Sequence, residues 1–122
     1  MSIISLDHIQ LAIPKDSEQV AREFYSILGF TEIEKPLQLR TRGGCWFVRG
    51  DIQVHLGVEE DFRAAKKAHP AFRVEDITEW EQYLQSKGIT ITADTSIPTV
   101  SRFYISDPFG NRIEFIQEGD KF

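Results

Sequence analysis

The sequence predicts an α+β fold built from two copies of a βαβββ unit, and three observations carry that prediction. A segment of alternating polarity recurs about sixty residues on, a helical stretch after each copy stops at a glycine, and each half ends in two strands around a tight turn. His8 lies 61 residues before His69, Gly29 lies 59 before Gly88, and Gly50 lies 60 before Gly110. Three landmarks at a near-constant offset mark a duplication.

The elements follow in order. Residues 8 to 13 (HIQLAI) set Ile9, Leu11 and Ile13 on one face; residues 69 to 74 (HPAFRV) do the same with Pro70, Phe72 and Val74. That is the period of a half-buried strand. Residues 16 to 28 space Val20, Phe24 and Leu28 four apart, and residues 77 to 87 place Ile77, Trp80 and Leu84 on a similar stripe, each predicting an amphipathic helix. Gly29 and Gly88 are the left-handed stops, and strands follow at Phe30 to Glu34 and Ile89 to Ala93. The closing hairpins run from Cys45–Arg49 through Gly50-Asp51 into Ile52–Val58, and from Arg102–Ser106 through DPFGN into Arg112–Gln117. The reading is a single domain over 1–122, with module one at 3–58, a charged linker at 59–68 carrying one helical turn, and module two at 69–118.

At 122 residues the chain is long enough to bury roughly two thirds of its unfolded surface. A net charge of −5 offers no basic face for nucleic acid and none for an anionic membrane. No stretch reaches membrane-spanning length, and residues 1 to 10 lack the basic-then-apolar pattern of a signal peptide. Cys45 is the one cysteine and cannot close an intramolecular disulfide, so the expected location is the reducing cytoplasm.

All three histidines fall on the repeat. His8 and His69 open the matching first strands, and His55, in the last strand of the first half, matches Glu114 at a shift of 59. On their strands, His55 alternates with Val54 and Leu56, and Glu114 with Ile113 and Phe115, so both point away from the apolar set. Imidazole nitrogens with a carboxylate and no thiolate suit Zn²⁺, Ni²⁺, Mn²⁺ or Fe²⁺ as a reactive centre, not a structural zinc. The expected cofactor is one divalent metal ion on His8, His55, His69 and Glu114.

These motifs resemble the vicinal oxygen chelate superfamily, which includes glyoxalase I, extradiol dioxygenases, fosfomycin-resistance transferases and bleomycin-resistance proteins. The likeness runs from Leu6 to Gln117, through DHIQLAI, FYSILGF, HPAFRV and DPFGNRIEF. It implies a half-open mixed β-barrel with helices outside and metal ligands at His8, His69 and Glu114. Glyoxalase I adds a ligand in the last strand of its first module, at His55 here. Ala12 stands where glyoxalase I has an arginine that grips glutathione, and Glu59 lies near the place of an expected asparagine. Tyr104 matches a substrate-contacting tyrosine of the fosfomycin-resistance transferases, while the preceding SIPTV lacks their phosphonate- and potassium-binding pattern.

The function expected is therefore a metal-dependent lyase or isomerase, transferase or dioxygenase. It would hold a small molecule through adjacent oxygens and stabilise an oxyanion. Glu114 and Tyr104 are the expected catalytic residues; Gln10, Arg40, Gln53 and Arg102 are expected on the substrate, and Arg42 on a solvated face. The expected assembly is a homodimer. The alternative is a metal-free module of the bleomycin-resistance type that sequesters a small molecule, with Trp46, Phe47 and Phe103 near the cleft.

Overall fold

The computed structural model describes all 122 residues. The chain divides into two compact units, Met1–Ala64 and Ala65–Phe122, parted inside the expected linker. Unit 1 contains β1 (Ile9–Ile13), α1 (Glu18–Ile27), β2 (Thr31–Ile33), β3 (Cys45–Arg49) and β4 (Ile52–Val58), with a 3₁₀ helix at Leu37–Arg42. Its sheet runs β1-β4-β3-β2, parallel between β1 and β4 and antiparallel elsewhere. Unit 2 repeats the pattern with β5 (Ala71–Val74), α2 (Ile77–Ser86), β6 (Thr92–Ala93), β7 (Arg102–Ser106) and β8 (Arg112–Gln117), in the order β5-β8-β7-β6.

The register carries the duplication further than the topology does. Gln10 sits opposite His55, and Ala71 opposite Glu114. Each candidate ligand on a last strand therefore lies beside the residue two beyond its unit's first-strand histidine. Across the other neighbour, Trp46 faces His55 and Tyr104 faces Glu114.

In unit 1 the buried stripe of α1 is Ala21, Phe24, Tyr25 and Leu28. Tyr25 stacks on Phe47 from β3, with ring centroids 5.4 Å apart. Val20, expected on this stripe, is exposed. The helix starts at Glu18, and the i, i+3, i+4, i+7 set from Ala21 is the one that meets the sheet. Gly29 (φ +85°) ends the helix, and Arg49 donates to the Leu28 carbonyl at 3.1 Å through space that a Cβ at position 29 would fill. In unit 2, Trp80 of α2 packs on Phe115 at 5.1 Å, and Phe115 stacks on Phe103 at 5.2 Å.

The expected helical turn in the linker is absent. Asp61 adopts a left-handed backbone (φ 51°), which stops a helix, and Ala65, the first residue of unit 2, bonds to the end of the DPFGN turn instead. The Ala65 amide donates to Asn111 Oδ1 at 2.9 Å, and its carbonyl accepts from the Arg112 amide at 2.9 Å. Asn111 and Asp107 are buried at the ends of the DPFGN turn. Asp107 Oδ1 accepts from the amides of Phe109 and Asn111, and Oδ2 from the Asn111 side chain. The strands expected at 30–34 and 89–93 shorten to Thr31–Ile33 and Thr92–Ala93, since only those residues find ladder partners.

Candidate functional site

Unit 1 gathers rings. His8 lies one residue before β1, and its imidazole stacks on that of His55 with centroids 4.0 Å apart and planes 13° from parallel. Trp46 stacks on His55 at 3.7 Å and 6°. His55 is therefore sandwiched, and it is almost wholly buried. Burial first, then the neighbouring His8, holds its imidazole below the usual histidine range, with Asp7 pulling weakly the other way. A neutral ring keeps one nitrogen bare. His55 Nε2 donates to Gln53 Oε1 at 2.9 Å, which leaves Nδ1; His8 Nδ1 donates to Asp7 Oδ1 at 2.8 Å, which leaves Nε2.

Unit 2 gathers charges. His69 Nδ1 lies 2.8 Å from the Lys67 carbonyl, which can only accept, so that nitrogen carries the proton. His69 Nε2 meets Glu114 Oε1 at 2.8 Å, a contact that needs one further proton held between the two. The other oxygen of buried Glu114 is 3.5 Å from Arg102 Nη1, which also donates to the Tyr104 hydroxyl at 2.9 Å. Arg102 Nη2 pairs with Asp94 Oδ2 at 2.9 Å, while its Nε is buried with no partner. Arg112 lies over the Tyr104 ring, 4.8 Å from the centroid. Asp94, which the sequence reading did not single out, is held below the usual carboxylate range, first by hydrogen bonds from Ser96 and then by Arg102. Its signal was the Asp-Thr-Ser run, a side-chain-to-backbone turn in which Asp94 Oδ1 accepts from the Ser96 amide at 3.0 Å.

The candidate residues thus fall into two pairs: His8 with His55, attended by Gln53, and His69 with Glu114, attended by Arg102 and Tyr104. Within neither unit are three or more His, Cys, Asp or Glu side chains gathered in metal-holding geometry. Gln10 lines a cavity of about 290 Å³ in unit 1, together with Lys35, Arg42, Trp46 and Gly57. Arg40 is not part of it. Its guanidinium turns to Glu34 Oε2 at 3.3 Å and to the Lys35 carbonyl at 3.1 Å, whereas Arg42, expected on a solvated face, lines the cavity. Phe47 and Phe103, expected near a cleft, are buried in the cores of their units, because strand parity turns each to the face opposite Trp46 or Tyr104. Cys45 is also buried, and desolvation pushes its thiol up to about 11.

Residues 5–115 match the family model of the Glyoxalase/Bleomycin resistance protein/Dioxygenase superfamily. The chain belongs to this superfamily. A glyoxalase family protein of known structure from Bacillus anthracis is 49% identical to it, with a TM-score of 0.92 over 99% of this chain and 98% of that one. The fold is shared more distantly with a glyoxalase family protein from Enterococcus faecalis, at 20% identity and a TM-score of 0.72 over 92% and 96% of the two chains. It is shared also with the genomically encoded fosfomycin resistance protein FosX from Listeria monocytogenes, at 14% identity and a TM-score of 0.73 over 95% and 94%. No protein of curated function matches the chain in sequence. No helix of this superfamily member is long and apolar enough to cross a membrane.

Proposed function

We propose that this chain is a divalent-metal-dependent enzyme of glyoxalase type, a lyase or isomerase acting on a small molecule bound through adjacent oxygens, with His8, His55, His69 and Glu114 as its metal ligands. One observation supports this most strongly. His8 and His55 each have one ring nitrogen committed to an oxygen acceptor (Asp7 or Gln53) and the other bare. His69 is held through Nδ1 by the Lys67 carbonyl and turns Nε2 to the Glu114 carboxylate at 2.8 Å, so that two of the proposed ligands meet. A ring nitrogen so committed is how metal-binding imidazoles are oriented and made basic. The donor set of imidazoles and one carboxylate fits Zn²⁺, Ni²⁺, Mn²⁺ or Fe²⁺. When bound, such an ion supplies Lewis-acid stabilisation of a developing oxyanion.

The remaining work falls to the chain. Glu114, whose Oε1 lies 2.8 Å from His69 Nε2, is the group to take and return a substrate proton, and Arg102 holds its second oxygen in place. The Tyr104 hydroxyl accepts from Arg102 and donates to Asp94 Oδ2 at 3.5 Å, a long bond that a substrate oxygen would replace. As the enzyme's assembly we propose a homodimer, supported by the exposed apolar run Ile3, Ile4 and Leu6. Light scattering at micromolar concentration should give twice the chain mass, and a monomer's mass would refute it.

Metal analysis of the purified protein and melting curves with and without chelator test the enzyme. A stoichiometric transition metal is expected, along with added stability of roughly 2.7 kcal/mol at about 100 times the dissociation constant. A melting point indifferent to chelator and to all four added ions favours the metal-free binding module instead, a reading that the cavity beside Trp46 independently supports.

A further inference from the structure

The cavity of unit 1 carries a charge that the rest of the chain does not. The protein has a net charge of −5, yet the lining includes two cations, Lys35 and Arg42, and no carboxylate. Arg42 has no hydrogen bond or ion pair to spend its charge on, unlike Arg40 two residues earlier, which is neutralised by Glu34. The Lys35 ammonium donates to the Gly43 carbonyl, which is itself part of the wall, so the charge is pinned to the cavity with two donors to spare. Beside the cations lies apolar surface from Leu39, Val58 and the Trp46 ring, whose stack on His55 fixes its plane.

Glycine makes the space. Gly57 on β4 lies two residues beyond His55, hence on the same face of the sheet, and a Cβ there would come within 2.5 Å of Gln10 Nε2. The volume of about 290 Å³ lies at the small end of ligand sites, which suits a compact ligand.

We propose that this cavity binds a small organic anion, a carboxylate or phosphonate head on an apolar body, with the head on Arg42 and Lys35 and the body against Trp46. Arginine and lysine supply charge-assisted donors to such a head, and the tryptophan face takes an apolar or aromatic body without needing a particular polar group. As the anchor of a substrate, the cavity rests on the enzyme reading above and names its substrate class; as a binding site it stands without the metal.

The test is calorimetric titration of the full chain, kept metal-free with chelator, against phenylphosphonate, benzoate and the neutral benzyl alcohol. Both anions should bind at least about tenfold more tightly than the alcohol, and more weakly as salt rises. Arg42→Gln, a change on an exposed side chain with no internal partner, should weaken both anions about tenfold or more and leave the alcohol unchanged. Equal affinity for benzyl alcohol, no heat from either anion, or an Arg42→Gln chain that binds anions like the parent would each overturn the proposal. Because chelator is present throughout, a chain that never takes up metal can still pass this test, and a metalloprotein can fail it.

Discussion

At the centre of the unit 1 sheet face stands a histidine clamped between two rings; at the matching place in unit 2 stands a carboxylate surrounded by charged groups. His55 and Glu114 share a register, each flanked by an aromatic residue on the antiparallel neighbour, Trp46 or Tyr104. Their surroundings differ because the two groups need opposite protection. A neutral imidazole is kept neutral by apolar contact and burial, and His55 has both. A buried carboxylate needs countercharge and hydrogen bonds, and Glu114 has Arg102 and His69. Duplication therefore fixed where a ligand-type residue stands, while its neighbours on the same strands decided what it can be.

The largest expected difference lies in apolar replacement at the two positions. Glu114→Leu leaves the Arg102 guanidinium buried with Asp94 as its sole carboxylate and His69 Nε2 without a partner. It should cost roughly 3–5 kcal/mol in chelator-treated protein. His55→Phe keeps a ring in the stack and loses only the bond to Gln53, so about 1 kcal/mol or less is expected. Urea titrations of both variants measure this. If His55→Phe costs as much as Glu114→Leu, unit 1 relies on polar contacts as heavily as unit 2 does. In metal titrations both replacements should weaken binding about tenfold or more, since each removes a proposed ligand and losses from the surrounding shell alone reach ~10–100-fold.

Much of this was legible in the sequence. The hairpin strands Cys45–Arg49, Ile52–Val58, Arg102–Ser106 and Arg112–Gln117 have the boundaries their turns and alternation predict, because Gly50-Asp51 and DPFGN set register locally. Repeat arithmetic matches His8 with His69 and His55 with Glu114. The contacts inside each unit, His8 with His55 and His69 with Glu114, come from the parallel pairing of first and last strands, which the repeat alone does not give. The two connectors did not read out. The 3₁₀ helix at Leu37–Arg42 has no apolar period, and whether Arg40 or Arg42 lines the cavity depends on a rotation of one short turn. Asp94 stayed hidden for a similar reason. Its partner Arg102 is eight residues on, brought opposite by the pairing of β7 with the two-residue strand just before Asp94, which propensity alone does not predict.

A second, smaller contrast lies on the other face of the same strands. Cys45 occupies the place that Phe103 holds in unit 2, facing Leu56 as Phe103 faces Phe115. Its thiol is raised from 9.0 to about 11 by burial. The unfolded chain therefore ionises first as pH rises. The stability tied to the protonated thiol is complete below about pH 9 and is lost as pH climbs towards 11. The loss amounts to roughly 2–3 kcal/mol at 1.36 kcal/mol per unit. Cys45→Ala should be less stable at neutral pH through the small void it leaves, yet should lose less stability than the parent between pH 9 and 11. Urea midpoints across that range measure both slopes, and parallel slopes would mean that solvent reaches the thiol.

The smallest expected difference separates the two helix starts. In α2, Asp76 occupies the cap position with extended backbone, and its Oδ1 accepts from the Glu79 amide at 3.1 Å, so one of the four unpaired amides of the first turn is satisfied. In α1 the equivalent Ser17 makes no such bond; its hydroxyl donates backwards to the Pro14 carbonyl at 2.6 Å. The backbone differs at the cap itself: Ser17 has ψ 12°, where Asp76 has the extended ψ of 98° that aims a side chain at the first-turn amides. Asp76→Ala should therefore cost about 1 kcal/mol, and Ser17→Ala no more than roughly half of that. The matched pair of urea midpoints reads the difference directly. A Ser17→Ala loss equal to that of Asp76→Ala would mean that the bond to Pro14 secures the entry to α1 as firmly as a true cap secures α2.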